Sequence, residues 1–105
     1  MIGEALKGHL DLLLLAILAE GPAHGYAVIE ALRNRSGGTF DLPEGTIYPA
    51  LHRLENQGLL RSRWSEDSAR RKRVYQVTPK GQQALAKRQT EWQKFSKAMD
   101  ATIGI

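Results

Sequence analysis

The sequence predicts a mainly α-helical fold with one small β-hairpin, ending in a long helix. Three observations carry that prediction: three apolar-periodic segments separated by glycine-bearing breaks, a change of period from 3.6 toward 2 after Gly58, and an uninterrupted helical pattern from Lys80 to about Ile103. At 105 residues with 42% hydrophobic content the chain has the size of one domain, and a monomer this small buries only about two thirds of its unfolded surface. One core is available, with little to spare. The absence of cysteine excludes disulfides and thiolate metal or redox sites and fits a reducing compartment. The longest apolar run, Leu12 to Ala19, is shorter than the roughly 20 residues a bilayer span needs. Glu4 and Asp11 stand where a secretory leader would be basic, so the run is expected to be a buried helix.

The first helix is expected from Leu6 to Glu20, with Leu10, Leu13, Leu14, Ile17 and Leu18 at helical spacing. Leu12 and Leu15 place apolar surface on its other side as well. One small core cannot use both faces, which implies a second helix from a partner subunit. Gly21-Pro22 ends this helix. The second runs from about Gly25, which permits close backbone approach, to Arg35, with Val28, Ile29 and Leu32 on one stripe and Ser36-Gly37-Gly38 as its stop. A third helix is expected from Pro43 to Gln57, apolar at Ile47, Ala50, Leu51 and Leu54. Pro49 removes one amide donor and predicts a kink or a tightened first turn.

After Gly58, Leu60, Ser62 and Trp64 alternate with Arg61, Arg63 and Ser65, and a second extended run spans Arg73 to Val77. The polar stretch between them is a long hairpin tip without an Asn-Gly or Asp-Gly turn. Thr78 as N-cap and Pro79 at the first helical position then start the last helix. Leu85, Trp92 and Met99 recur every seven residues, interleaved with Arg88, Phe95 and Thr102. So narrow a stripe on so long a helix needs a partner, which agrees with the surplus face of the first helix. Leu12, Leu15, Leu85, Trp92, Phe95 and Met99 are therefore the expected dimer seam.

Charge locates a second surface. From Arg61 to Arg73 six cations face two anions, a local +4, and the remaining nine cations and nine anions cancel. One basic segment on a balanced chain points to a polyanion at that place. Three helices followed by a basic hairpin form a winged helix-turn-helix, in which the later helix enters the major groove of DNA. On a helical wheel the third helix turns Gly45, Pro49, His52 and Asn56 outward, flanked by Thr46, Tyr48 and Arg53. Arg53 could reach a guanine edge or a phosphate, His52 and Asn56 a base edge, and Thr46 and Tyr48 the backbone, with Pro49 letting the helix sit close. In the hairpin, Arg70, Arg71, Lys72 and Arg73 are contiguous and suit a phosphate row or a narrow minor groove.

Several strings together resemble the PadR family of bacterial transcription regulators. They are Glu44 to Leu51 (EGTIYPAL), His52-Arg53-Leu54-Glu55, Gly58-Leu59-Leu60, Gly21-Pro22 with His24-Gly25-Tyr26, and Arg73 to Gly81 (RVYQVTPKG). The resemblance covers nearly the whole chain, and the single C-terminal helix is that of the short members. It implies a cytoplasmic, nucleoid-associated homodimer on a pseudo-palindromic operator in double-stranded DNA, usually a repressor relieved by a small ligand or a stress signal. Residues 1–78 would be the winged-helix domain and 79–105 a dimerisation helix packed on the partner's first helix. Family wings often carry Gly or Pro before the Arg-Lys pair, where this chain has Ser68-Ala69-Arg70-Arg71. Some short relatives stack planar drugs between two tryptophans at the dimer centre. Trp92 holds the matching position, with Leu12, Ala16 and Ser96 as the matching pore lining, and the effector would be a planar aromatic molecule. Trp92 serves equally well as plain interface core.

Two other function classes bear on the same residues. His9, His24 and His52 lie on different elements without metal-ligand spacing, and no catalytic set is recognisable, so neither an enzyme, a metal site nor a cofactor is expected. The histidines are expected on a helix surface, near a cap and facing DNA, respectively. The alternative is a winged helix used as a protein-interaction or RNA-binding module without operator specificity. RNA readers stack bases on aromatics, and Tyr75 alone neighbours the basic cluster.

Overall fold

The computed structural model describes residue 6, residues 8–66 and residues 71–105. In chain order the elements are α1 (Leu10–Leu18), β1 (Ala23–His24), α2 (Gly25–Arg35), α3 (Glu44–Asn56), β2 (Leu60–Trp64), β3 (Arg73–Val77) and α4 (Pro79–Ile103). The three strands form one antiparallel sheet in the order β1-β3-β2. The expected mainly α fold, with a hairpin between the third helix and a long last one, is the fold observed.

Hydrophobic spacing explains the helices, and the core uses one stripe from each. Leu14, Leu15 and Leu18 of α1 meet Val28 and Leu32 of α2, and Ile47, Leu51 and Leu54 of α3. Leu60 and Tyr75 close the cluster from the sheet and Leu85 from α4. Burying each such side chain contributes roughly 1.5–3 kcal/mol before the entropy of ordering it is subtracted.

Several expectations are corrected here. Leu15 and Leu85 are not free for a partner: they are 0% and 8% exposed, inside the core of the single chain. Of the expected α1 stripe, Leu14, Ile17 and Leu18 are buried, but the stripe is rotated to take in Leu15 and leaves Leu10 and Leu13 half-buried, as is Leu12. The first helix is also shorter than Leu6 to Glu20. Gly8, at φ +88°, interrupts it before Leu10, and its last helical residue is Leu18.

The strand β1 escapes the sequence because two residues carry no periodicity. It exists because β3 has a second edge, on which Ala23 faces Tyr75 and His24 faces Val74. His24 then caps α2, its Nδ1 accepting from the Ala27 amide at 3.2 Å.

Pro49 does not break α3, and the first turn of the helix is tight. The Pro43 carbonyl accepts from both the Thr46 and the Ile47 amides, at 3.0 and 3.1 Å, and the helix continues regularly to Asn56. The carbonyl that loses a donor to Pro49 is that of Gly45, an exposed residue, so water can replace the bond.

At the junction with α4, Thr78 works as expected. Its Oγ1 accepts from the Gly81 amide at 3.0 Å and donates to the Gly58 carbonyl at 2.7 Å. Gly81 lies so close to β2 that a Cβ there would stand 2.1 Å from the Leu59 carbonyl oxygen. That approach draws Leu85 into the core. Farther along α4 no residue is buried, and Trp92, Phe95, Met99 and Ile103 are 42–61% exposed.

Candidate nucleic-acid interface

The outer face of α3 is built by the same periodicity that builds its core face. With Ile47, Ala50, Leu51 and Leu54 buried, Gly45, Thr46, Pro49, His52, Arg53 and Asn56 are all exposed on one side. These are the side chains and the spacing expected of a groove-facing helix, with one exception. Tyr48 turns inward and is half-buried, because Gly25 leaves room for its ring: a Cβ on Gly25 would lie 2.5 Å from a Tyr48 ring carbon. Burial pushes the Tyr48 phenol above its ordinary range, and the Glu44 carboxylate adds to the rise. Its ring thus packs between α3 and α2, while the residue also lines a groove with Trp64, Arg71 and Lys72 of the wing.

Polar contacts fasten the hairpin to α3. Ser62 Oγ donates to Glu55 Oε2 at 2.6 Å, Arg73 Nε donates to Ser62 Oγ at 2.7 Å, and Arg73 Nη2 lies 3.9 Å from the same carboxylate. The register pairs Ser62 with Tyr75 and Trp64 with Arg73, putting Leu60, Ser62 and Trp64 on the inner face and Arg61 and Arg63 on the outer one. Beyond the last strand pair, the Ser65 amide donates to the Lys72 carbonyl at 2.7 Å. Trp64, 47% exposed, carries two cations on its ring, with Arg71 at 4.9 Å and Arg73 at 5.3 Å from the centroid. The sequence placed Arg71, Lys72 and Arg73 correctly on the wing but gave Trp64 no role. Its signal was available in the register, since pairing Leu60 with Val77 brings Trp64 opposite Arg73. Arg70 lies outside the described residues, as do Ser68 and Ala69 of the tip.

The cations of this face are not equally free. Arg53 pairs with Asp11 of α1, and Arg73 is engaged as described, whereas Arg61, Arg63, Arg71 and Lys72 are exposed. His52 is exposed on the outer face and stands 6.4 Å, ring to ring, from Tyr75.

A second feature lies between α1 and α4. A cavity of about 610 Å³ is lined by Leu6, His9, Leu12, Leu13, Phe40 and Trp92, with Gln89 and Gln93 at its polar edge. It brings Leu12 and Trp92 together. Ala16 and Ser96 do not line it: Ala16 borders a smaller groove with Leu32 and Phe40, and the Ser96 hydroxyl donates to the Gln93 carbonyl. His9, expected on a free helix surface, packs edge-on against Trp92 at 5.1 Å. Among the described residues no helix is long and apolar enough to cross a membrane.

Known proteins agree with this architecture. The chain is 42% identical over 67 residues to the transcriptional regulator Rv3488 of Mycobacterium tuberculosis, covering 64% of this chain and 60% of that one. A PadR family transcriptional regulator from Eggerthella lenta superposes with a TM-score of 0.86 at 30% identity, over 99% of this chain and 89% of that one. A transcriptional regulator from Clostridium thermocellum gives a TM-score of 0.87 at 28% identity, over 93% and 96% of the two chains. The family model described as the transcriptional regulator PadR-like family matches residues 14–87, which takes in every core element from α1 to the start of α4. The chain belongs to the PadR-like family of transcriptional regulators, a family of winged-helix transcription factors and not of enzymes.

Proposed function

We propose that this chain is a homodimeric repressor that binds a pseudo-palindromic operator in double-stranded DNA and is relieved by a small ligand or a stress signal. The observation that carries the reading is the attachment of the basic hairpin to α3 through Glu55, Ser62 and Arg73, which sets the wing cations beside the polar outer face of one helix. The chemistry divides as it does in other groove readers. Arg53, His52 and Asn56 address base edges, Thr46 the backbone, and Arg70, Arg71 and Lys72 the phosphates, with Pro49 allowing close approach. Residues 1–78 act as the DNA-binding unit and 79–105 as the dimerisation helix. The exposed row of Trp92, Phe95 and Met99, together with Leu12 of α1, supplies the seam. Isolated, so long a helix with an uncovered apolar stripe is marginal in water, and a second copy covers it.

Gel shifts comparing the duplex upstream of the protein's own gene with single-stranded RNA test the reading. DNA preference is expected. If about 6 to 8 phosphates are neutralised per dimer, log K falls against log salt with a slope near −5 to −7. Preference for RNA, or a slope near −1, contradicts it and favours the interaction-module alternative.

One observation supports a planar aromatic effector: Trp92 and Leu12 wall the same apolar cavity, with His9 edge-on to the indole. Quenching of tryptophan fluorescence by planar aromatic compounds is then lost in Trp92→Ala, after subtraction of the Trp64 background. Unchanged quenching in that variant leaves Trp92 as interface core.

A further inference from the structure

Asp11 stands on α1, yet its carboxylate is shared by arginines of two other helices. Its Oδ1 accepts from Arg53 of α3, and its Oδ2 lies 3.9 Å from Nη1 of Arg88 on α4. The Asp11 side chain is only 15% exposed, whereas that of Arg53 is 50% exposed and belongs to the outer face of α3 beside His52 and Asn56. Fold stability does not call for this pairing. Leu14 and Leu15 already seat α1 against Ile47 and Leu51 of α3, all four at 0% exposure, and partly exposed ion pairs add little to such packing.

Its chemistry suits another task. A surface arginine free to rotate must lose that freedom when it meets DNA, and a carboxylate behind it takes the loss at folding instead. Arg53 gives Asp11 a bond through one terminal nitrogen, Nη2. A guanidinium has five N–H donors, so enough remain for the two that a guanine O6/N7 edge accepts. Arg88 removes the remaining objection. With two guanidinium groups around one carboxylate the cluster keeps a net positive charge, so DNA is not repelled from it.

We propose that Asp11 is a specificity-determining positioning residue, holding the Arg53 guanidinium in one orientation for a guanine edge while Arg88 offsets its charge. The proposal rests on the reading of α3 as the DNA-facing helix.

The test uses the full chain as wild type, Asp11→Asn, Asp11→Glu and Arg53→Ala. The probes are a labelled duplex that the wild type enriches from a random-sequence library and a composition-matched scrambled duplex, followed by fluorescence anisotropy. Asp11→Asn is expected to weaken binding to the enriched duplex on the order of tenfold, with the scrambled duplex unaffected. Arg53→Ala is expected to show the same loss, and Asp11→Glu to recover part of it. A library reselected with Asp11→Asn loses its guanine preference at one position per half-site. Thermal melts of both Asp11 variants check that folding is retained, and Asp11→Glu serves as the informative variant if the amide folds poorly. Tighter binding of Asp11→Asn to both duplexes by one factor, with a salt slope more negative by about one per subunit, would mean that Asp11 masks Arg53 and would overturn the proposal. Wild-type affinity for both duplexes would overturn it too. If the wild type enriches no sequence at all, the DNA-reading function fails and the positioning role with it; enrichment by the wild type with an indifferent Asp11→Asn defeats the positioning role alone.

Discussion

At the scale of single residues, two glycines hold this fold at close quarters and separate two kinds of crowding. A Cβ at Gly25 would meet the Tyr48 ring at 2.5 Å, whereas one at Gly81 would meet the Leu59 backbone oxygen at 2.1 Å. A ring can swing away at the expense of its packing; a backbone carbonyl fixed by the Thr78 amide cannot. Gly25→Ala is therefore expected to destabilise by about 1–3 kcal/mol and Gly81→Ala by more than about 3 kcal/mol, a large share of a small domain's total. Urea unfolding of the two variants checks the order, and Tyr48→Ala should relieve part of the first effect but none of the second. Tyr75 gives a pH signature. It is 1% exposed, and burial chiefly, with Glu55 adding, raises its phenol above the ordinary range, although Arg73 opposes the shift. The unfolded chain then loses its tyrosine proton first. Stability is complete below about pH 10, the ordinary tyrosine value, and falls as pH rises through the raised one. Denaturation midpoints measured from pH 9 upward should show this decline, and it should be shallower in Tyr75→Phe. Which residues face outward and which form the core was legible where one residue type served one purpose, as with the exposed His52 and Asn56. It failed for Tyr48, whose inward turn depends on a space left by Gly25 on another helix, and no local spacing carries that information.

At the scale of elements, α3 was the most legible because its burial stripe is narrow and its opposite face is polar. All four residues expected in its core are buried there. α1 was legible in part: Leu14, Ile17 and Leu18 are buried as expected, but apolar residues surround the helix, so periodicity could not say that Leu15 faces inward and that Leu10 and Leu13 are less covered. Tertiary packing chose Leu14, Leu15 and Leu18. The hairpin strands were legible from alternation and charge, while β1 was not, since two residues carry no period. The wing's working geometry depends on Trp64, on which Arg71 and Arg73 rest. Removing that platform takes from Arg71 its ring contact, while Arg73 keeps Ser62 and Glu55. Cation–π contacts at partly exposed sites contribute roughly 0.5–1 kcal/mol each, so Trp64→Ala should lower the melting temperature by several degrees and weaken DNA binding severalfold. Anisotropy titrations with a fixed duplex, alongside thermal melts, check both halves of that expectation.

At the scale of the whole molecule, the long helix divides its labour. Its first turns complete the core through Gly81 and Leu85, and its remainder carries Trp92, Phe95 and Met99 into solvent. The seven-residue spacing read from the sequence was real but belonged to two environments, which is why Leu85 was assigned to the wrong one. A charge in the middle of the exposed row should separate the copies. Phe95→Glu is expected to sediment as a monomer, lose helical content in the second half of α4, and lose DNA affinity, because the apolar stripe is left uncovered and two half-sites are no longer engaged at once. Sedimentation velocity on wild type and variant reads this directly.

The two surfaces together make a geometric claim about DNA. If two copies present α3 and the wing from a common dimer, contacts recur one helical turn apart, about 34 Å or 10–10.5 base pairs, on one face of the duplex. Hydroxyl-radical footprinting on genomic DNA upstream of the protein's own gene measures that spacing. Paired protections at that interval within a pseudo-palindrome, flanked by wing contacts, are expected. A single unpaired protection, or uniform coverage indifferent to sequence, would contradict it.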